Sequence, residues 1–196
     1  MGKLVVFTNV TLDGVMQAPG RPDEDTRGGF PYGGWGVGYN DEVMGGFLAE
    51  NMARPGSLVL GRRTYEDLFG YWPGQTDNPF TEVLNRTRKY VASATLAEPL
   101  GWSNSTLLAG DAADAVAALK REPGEDLMVI GSGELVQALR RRDLVDEYVL
   151  LIHPLVLGTG RRLFPDGGGR ATLRLTGSTA TTTGVVIATY QVRRDA

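Results

Sequence analysis

The 196-residue chain has no cysteine and a single histidine, His153. Without cysteine there is no disulfide framework, no thiol nucleophile and no Cys-based zinc or iron–sulfur site. One histidine excludes a two-histidine metal site, so no metal ligand set is expected. A Ser-His-Asp triad would have to use His153, which stands beside Pro154 at the end of an apolar run. The chain has no long basic stretch, a net charge of −3 and a pI of about 5.2, which argues against nucleic acid as a partner. No apolar run approaches the ~18 residues of a membrane span. The start turns polar too soon for a signal peptide, and Val6 stands where myristoylation would want Ser or Thr. These absences predict a soluble, cytoplasmic protein.

What is present is glycine. The chain has 27 glycines, about twice the usual ~7%. A surplus outside any repeat points to tight turns and to backbone that comes close to a ligand. Apolar residues at 42% and charged residues at 22% are ordinary for a globular protein. The length suits one domain over residues 1–196.

Residues 3–10 read as a buried strand of β-branched and aromatic residues. Residues 11–40 form a Gly- and Pro-rich loop whose tail, 28–39, mixes glycines with aromatics. It is either an ordered surface loop or a lid over a pocket. Asn40 or Asp41 can cap a helix to about Ala53, with Val43, Met44, Phe47 and Leu48 on one face. Strands are expected at 57–60, 89–93, 105–109, 127–130 and 148–152. Helices are expected at about 64–69, 111–122 and 133–142, and 71–86 is irregular before turning helical. Two further strands, about 171–177 and 185–193, close the chain. The first two thirds alternate strand and helix, the pattern of a parallel sheet, and the last third reads as antiparallel strands added at an edge.

Two strand–glycine–helix junctions carry the chemistry. The first is Leu60-Gly61-Arg62-Arg63-Thr64-Tyr65-Glu66. The N–H groups and dipole of a helix start attract phosphate, and two arginines add bidentate donors. That suits a terminal phosphate monoester such as the 2′-phosphate that distinguishes NADPH from NADH. The plainer reading is a helix start with solvated arginines. The second junction is Val129-Ile130-Gly131-Ser132-Gly133-Glu134-Leu135. Its glycines allow close backbone approach to a pyrophosphate, but Val136 breaks the G-x-G-x-x-G pattern and no Walker sequence occurs. In a parallel sheet both turns lie at the C-terminal edge, where ligands bind, and Ser93 ends a strand on that edge. A dinucleotide laid there would bring its nicotinamide near the first strand. That strand ends in Thr11-Leu12-Asp13-Gly14, in which Asp13 is either a turn residue or a carboxylate facing the nicotinamide.

These pieces, in this order, resemble the dihydrofolate reductase-like family that includes the reductase domain of the bifunctional riboflavin-biosynthesis deaminase/reductase. The stand-alone bacterial members are the most similar. The matching segments also include Tyr90-Val91-Ala92-Ser93, Leu144-Val145-Asp146-Glu147, Ile152-His153-Pro154 and Gly158-Thr159-Gly160-Arg161-Arg162-Leu163-Phe164. They cover nearly the whole chain. The resemblance implies a three-layer α/β fold with a mixed, mainly parallel eight-stranded sheet and antiparallel C-terminal strands. It implies NADPH as cofactor. Gly61, Arg62, Arg63 and Thr64, with Ser93, would hold the phosphate-bearing adenosine side. Gly131, Ser132, Gly133 and Glu134, led into by Ile130, would hold the pyrophosphate. Thr8, Asn9, Met16 and Gln17 would lie near the nicotinamide, partly through backbone.

The chain departs from the family at two places. Dihydrofolate reductases carry an acidic residue within the first long helix that binds the pterin. The nearest position here is Gly45 or Gly46, with Asp41, Glu42 and Glu50 displaced from it. The zinc ligands of the deaminase half are absent. The expected activity is therefore NADPH-dependent reduction of a small heteroaromatic or imine-bearing substrate, pterin-like or aminouracil-like, with Asp13 as the candidate catalytic carboxylate. The alternative is a pyridine-nucleotide or small-ligand-binding protein on the same fold, without turnover. Relatives of this kind commonly pair, and the late strands carry apolar residues at an edge, so a homodimer built on the C-terminal third is expected.

Overall fold

The computed structural model describes residues 2–194. Eight strands form one mixed sheet in the order β4-β3-β2-β5-β1-β6-β8-β7, which is the α/β architecture expected. β1, Leu4–Thr11, is buried along almost its whole length, as its run of Val, Phe and Thr requires. By internal contacts the chain divides into two compact units. One comprises the chain up to Val5 together with Glu50–Val145, and the other Val6–Ala49 together with the chain from Asp146 onward.

The first unit is the parallel part. β2, Gly56–Gly61, pairs in parallel with β3, Lys89–Ala92, and with β5, Asp126–Ile130. β3 pairs in parallel with β4, Ser105–Leu108. Strand runs such as Leu58-Val59-Leu60 are apolar at successive positions because both faces are covered. The helices lying wholly in the unit, among the described residues, include α2 Arg62–Tyr71, α3 Pro79–Arg86, α4 Ala112–Arg121 and α5 Gly133–Arg141, with a 3-10 turn at Trp72–Gly74. Leu135, Val136 and Leu139 of α5 are buried, the inward stripe its spacing predicts. Leu58, Leu60, Tyr65, Leu84, Val91 and Trp102 form one core cluster. Lys89 is fully buried beside it. Its ammonium donates to the carbonyls of Leu84 (2.6 Å) and Thr87 (2.7 Å) and stands 4.5 Å from the Trp102 ring centre.

The second unit is antiparallel. β6, Glu147–His153, pairs with β8, Val186–Arg193, and β8 pairs with β7, Thr172–Ala180. β7 is the edge strand, runs to Ala180 rather than 177, and is exposed along most of its length, Leu175 included. The long loop after β1 contains two short 3-10 turns, Arg27–Gly29 and Val37–Tyr39, and a bridge from Val15 to Arg162. Phe30 is buried with Val15 and Ala18, and Trp35 and Leu157 pack against them. Trp35 Nε1 donates to the Gln17 carbonyl at 2.7 Å. The segment 28–39 is thereby anchored at Phe30 and Trp35, as an ordered loop is, while Tyr32 and Val37 face solvent. Gly160 has to be glycine: its φ is +116° and a Cβ would stand 2.7 Å from Phe30 and Val15 side-chain atoms.

α1, Glu42–Ala53, runs from the second unit into the first. Asp41 caps it, its Oδ1 accepting from Met44 N–H at 2.8 Å, while Oδ2 accepts from the Thr182 N–H (2.6 Å) and hydroxyl (2.7 Å). Met44 is buried as expected, but Val43 is exposed, so the apolar stripe is narrower than the spacing suggested. α2 differs from expectation too. It begins at Arg62, not Thr64, because Gly61 already has the extended backbone of a helix cap.

Candidate active site

In the first unit the two glycine junctions come together. β2 ends at Gly61, opposite Ala92 of β3, and β5 ends at Ile130. Gly61 N–H donates to Ser132 Oγ at 2.9 Å, and Ser132 N–H donates to Thr64 Oγ1 at 3.1 Å. The Ser132 hydroxyl donates in turn to the Ile130 carbonyl at 3.0 Å. A Cβ on Gly61 would stand 3.6 Å from Ser132, and one on Gly131 would stand 3.5 Å from Thr64. Ser132 is held in the left-handed region (φ +52°), directly after Gly131 at φ +56°. That conformation costs a serine about 1 kcal/mol or more, and its three hydrogen bonds offset the strain.

The interlock leaves both helix starts open. α2 and α5 have no side-chain cap, whereas Asp41, Asn78 and Asp111 cap α1, α3 and α4. Uncapped first turns keep backbone donors and positive dipole ends for an anion. Arg62 pairs with Glu66 one turn on (2.8 Å), and Arg63 reaches Glu134 of α5 at 3.4 Å. All four side chains are partly or largely exposed, so these pairs are weak and a phosphate can displace the carboxylates. Arginines in the first turn of a helix oppose its dipole, and a bound phosphate removes that conflict. These residues therefore fit the phosphate-bearing end of a dinucleotide. Two expected residues have further partners or charge. Ser93, just past β3, accepts at Oγ from the N–H groups of Thr95 and Leu96, and its O–H proton is left to donate. Glu134 brings a negative charge, so a pyrophosphate there would use backbone N–H groups of α5 and not this side chain.

In the second unit Asp13 acts as a turn residue. Its Oδ1 accepts from the Thr11 hydroxyl (2.6 Å) and Leu157 N–H (3.2 Å), and its Oδ2 from Gly158 N–H (2.8 Å). The Thr11 hydroxyl, then the Gly158 and Leu157 N–H groups, hold the carboxyl below its usual range. A carboxylate so saturated is a poor proton donor at neutral pH, and these contacts favour the turn role for Asp13 over the catalytic one.

Gln17 is equally committed. Its Nε2 donates to the Asp25 and Arg27 carbonyls (3.0 and 2.9 Å), and its Oε1 accepts from Arg161 N–H (2.9 Å). Its side chain therefore builds the loop, and only backbone is left for a ligand. Met16 is buried and donates its N–H to the Arg161 carbonyl. Thr8 is buried, its hydroxyl turned to the Asn9 carbonyl at 3.3 Å. Asn9 is half-buried and its Oδ1 lies 2.9 Å from His153 Nε2. His153 carries no assigned role in the sequence beyond its place in the Ile152-His153-Pro154 segment. Its buried place beside Asn9 was hidden because the two are 144 residues apart. Gly45 and Gly46 are exposed, and a Cβ on either would meet nothing within 4 Å. Among the described residues there is no cluster of three or more potential metal ligands, and no helix is long and apolar enough to cross a membrane.

The arrangement has relatives. A model of the RibD C-terminal domain matches residues 2–187. The uncharacterized protein YyaP of Bacillus subtilis (strain 168) is 32% identical over 140 residues, 68% of this chain and 72% of that protein. A crystal structure of a Shewanella sp. PV-4 protein, assigned by name to riboflavin biosynthesis, superposes with a TM-score of 0.73 at 26% identity. The match covers 98% of this chain and 99% of that one. A pyrimidine reductase-like protein of Corynebacterium diphtheriae shares the fold, with a TM-score of 0.66 at 12% identity over 99% of this chain and 93% of its own. The chain belongs to the RibD C-terminal domain family, on a dihydrofolate reductase-like fold.

Proposed function

We propose that the protein is an NADPH-dependent reductase of a small heteroaromatic or imine-bearing substrate. The observation that carries this reading is the pair of interlocked turns, Gly61–Thr64 and Gly131–Glu134, with two uncapped helix starts and two arginines. Arg62 and Arg63 bind the 2′-phosphate of the adenosine. The first-turn N–H groups of α5 bind the pyrophosphate, and Ser132 keeps the two turns in register. When bound, the cofactor would supply a hydride, and this chain's residues would provide binding, orientation and polarity for it. Asn9 contributes a side chain and Gln17 only backbone. Because Asp13 is saturated, the proton that accompanies the hydride comes from water.

The substrate class draws on the family and on the name of the Corynebacterium neighbour, a pyrimidine reductase-like protein. Gly45 and Gly46 supply no carboxylate for a pterin, which points away from folate. A second copy pairing along β7, the exposed edge strand, is the expected assembly.

The test is direct binding of NADPH and NADH to the wild type and to Arg62→Ala/Arg63→Ala. NADPH should bind the wild type more tightly. The double variant should weaken NADPH by about 1.5–3 kcal/mol per lost charged hydrogen bond and leave NADH nearly unchanged. Equal affinities for the two cofactors in the wild type overturn the assignment. Steady-state NADPH oxidation with pterin, pyrimidine and quinone-like acceptors then separates a reductase from a protein that only binds the nucleotide.

A further inference from the structure

His153 closes β6 and is 1% exposed. Its Nε2 meets Asn9 Oδ1, while its Nδ1 is buried without a hydrogen-bond partner among the described residues. Trp35 and Tyr39 stand perpendicular to the imidazole, with ring centres at 5.0 and 5.3 Å. Gly36 lets the loop backbone come close: a Cβ there would lie 3.6 Å from the imidazole Cε1 and 3.0 Å from the Pro19 carbonyl oxygen. With these rings and the Gly36 backbone around it, the imidazole is shielded from bulk solvent.

A neutral imidazole has one N–H donor and one acceptor nitrogen. A proton on Nδ1 would bury a donor that has no acceptor. A proton on Nε2 gives that donor to Asn9 Oδ1 and leaves a bare lone pair at Nδ1. Among buried backbone groups orphaned N–H donors are rarer than under-satisfied acceptors, and an imidazole N–H without an acceptor is penalised on the same physical ground. Burial also lowers the imidazole pKa to about 4, so the ring is neutral at pH 7. The same choice orients Asn9: its oxygen takes the histidine proton, and its NH2 points away from His153. No other hydrogen bond of that amide occurs among the described residues.

We propose that His153 is a positioning residue that locks the Asn9 side chain as a hydrogen-bond donor, so that the ligand group meeting Asn9 is an acceptor oxygen of carbonyl type. A nicotinamide carboxamide carries such an oxygen, and so does a pyrimidine- or pterin-like ring. The choice between these ligands rests on the proposed function; the lock does not.

Because His153 is the chain's only histidine, labelling histidine with nitrogen-15 leaves one imidazole to observe. Long-range proton–nitrogen correlation on the ligand-free protein at neutral pH should show Nε2 protonated and Nδ1 bare. A proton on Nδ1, held over the Trp35 or Tyr39 ring, overturns the lock whether or not NADPH binds. The second arm is Asn9→Asp, which still accepts from Nε2–H but presents an oxygen in place of the NH2. If the acceptor is the cofactor carboxamide, the Kd for NADPH rises about tenfold or more. The thionicotinamide analogue, whose sulfur is a poorer acceptor, then binds the wild type more weakly than NADPH does. If the acceptor belongs to the substrate, NADPH affinity is kept and kcat/KM falls by a similar factor. An Asn9→Asp protein that keeps both its NADPH affinity and its turnover overturns the assignment of an acceptor ligand. Failure of the wild type to bind NADPH is failure of the proposed function, and the nitrogen spectrum still decides the lock.

Discussion

The two units use the same device with opposite results. In each, a polar side chain from one turn holds a backbone N–H of another turn far away in sequence. In the first unit Ser132 holds Gly61 N–H, and in the second Asp13 holds Gly158 and Leu157 N–H. Serine brings no charge, so the first unit's turns keep open helix starts and two arginines whose carboxylate partners, Glu66 and Glu134, are exposed and displaceable. Asp13 is itself the anion of its turn, and its donors are already spent on it. An anion-binding site lies where donors outnumber acceptors, which is why the first unit, and not Asp13, is read as the place for phosphate.

The largest expected effect tests whether the second unit is the acid-sensitive one. It holds His153, whose pKa is lowered to about 4, and Asp13, Asp25 and Asp41, all held below the usual carboxylate range. His153 stays neutral in the fold while the unfolded chain takes up a proton near pH 6.5. Stability should therefore fall as pH drops from 6.5 to 4, by about 3 kcal/mol from this residue. The carboxylates add to the loss below about pH 4, where the unfolded chain protonates first. The first unit's buried group works at the other end of the scale. Burial lowers Lys89 to about 8, so its share of stability rises as pH climbs from 8 toward 10.5. Denaturant titrations at several pH values, with hydrogen exchange to locate the loss, should show residues 6–49 and 146–194 opening first in acid. Loss beginning in 50–145 would break the comparison.

Asp13→Asn comes next. The amide can accept only through its one oxygen, so one backbone N–H of the 157–158 turn loses its partner, at about 1–3 kcal/mol. NADPH oxidation at saturating substrate should stay within a few-fold of wild type. A fall of the 10²–10⁴-fold expected for a lost acid–base group would return Asp13 to the role of proton donor.

Ser132→Ala removes the hydroxyl link to Gly61 N–H, leaves the backbone N–H bond to Thr64, and keeps the left-handed strain. It should cost about 1–2 kcal/mol of stability and weaken NADPH binding. Ser132→Gly relieves the strain without restoring the bridge, so it should recover stability but not affinity. Equal recovery of both would show that the hydroxyl serves only the turn.

The smallest effect concerns α1. Gly45→Ala and Gly46→Ala should each stabilise the helix by about 0.5–1 kcal/mol, since nothing blocks the new methyl group. If the substrate lies against this stretch of helix, its KM rises while NADPH affinity is unchanged. An unaltered KM places the substrate elsewhere.

Much of the fold was legible in the sequence. Continuous apolar runs marked β2 and β5, breakers such as Pro55-Gly56 and Pro123-Gly124 bounded the helices, and Asp111 signalled its own cap. Local rules failed where two segments compete for one residue. Val43 fits an apolar stripe but faces solvent, because which arc of α1 is covered depends on its neighbours. Gln17 carries a side chain suited to a ligand, yet carbonyls of its own loop and the distant Arg161 N–H claim it first, and Ser93 Oγ already accepts from two N–H groups of its own turn.

The sequence by itself determined the strand and helix order, the glycine turns, the absence of thiol and two-histidine chemistry, and the family resemblance. All of these are written in composition and local spacing. Only the tertiary structure decided that Ser132 bridges two turns 71 residues apart, that Asp13 is saturated by residues 144 and 145 positions away, and that His153 is buried against Asn9. The physical reason is that the state of a polar group is set by which donors and acceptors reach it and by whether water does. Both depend on chain segments that local sequence does not bring together.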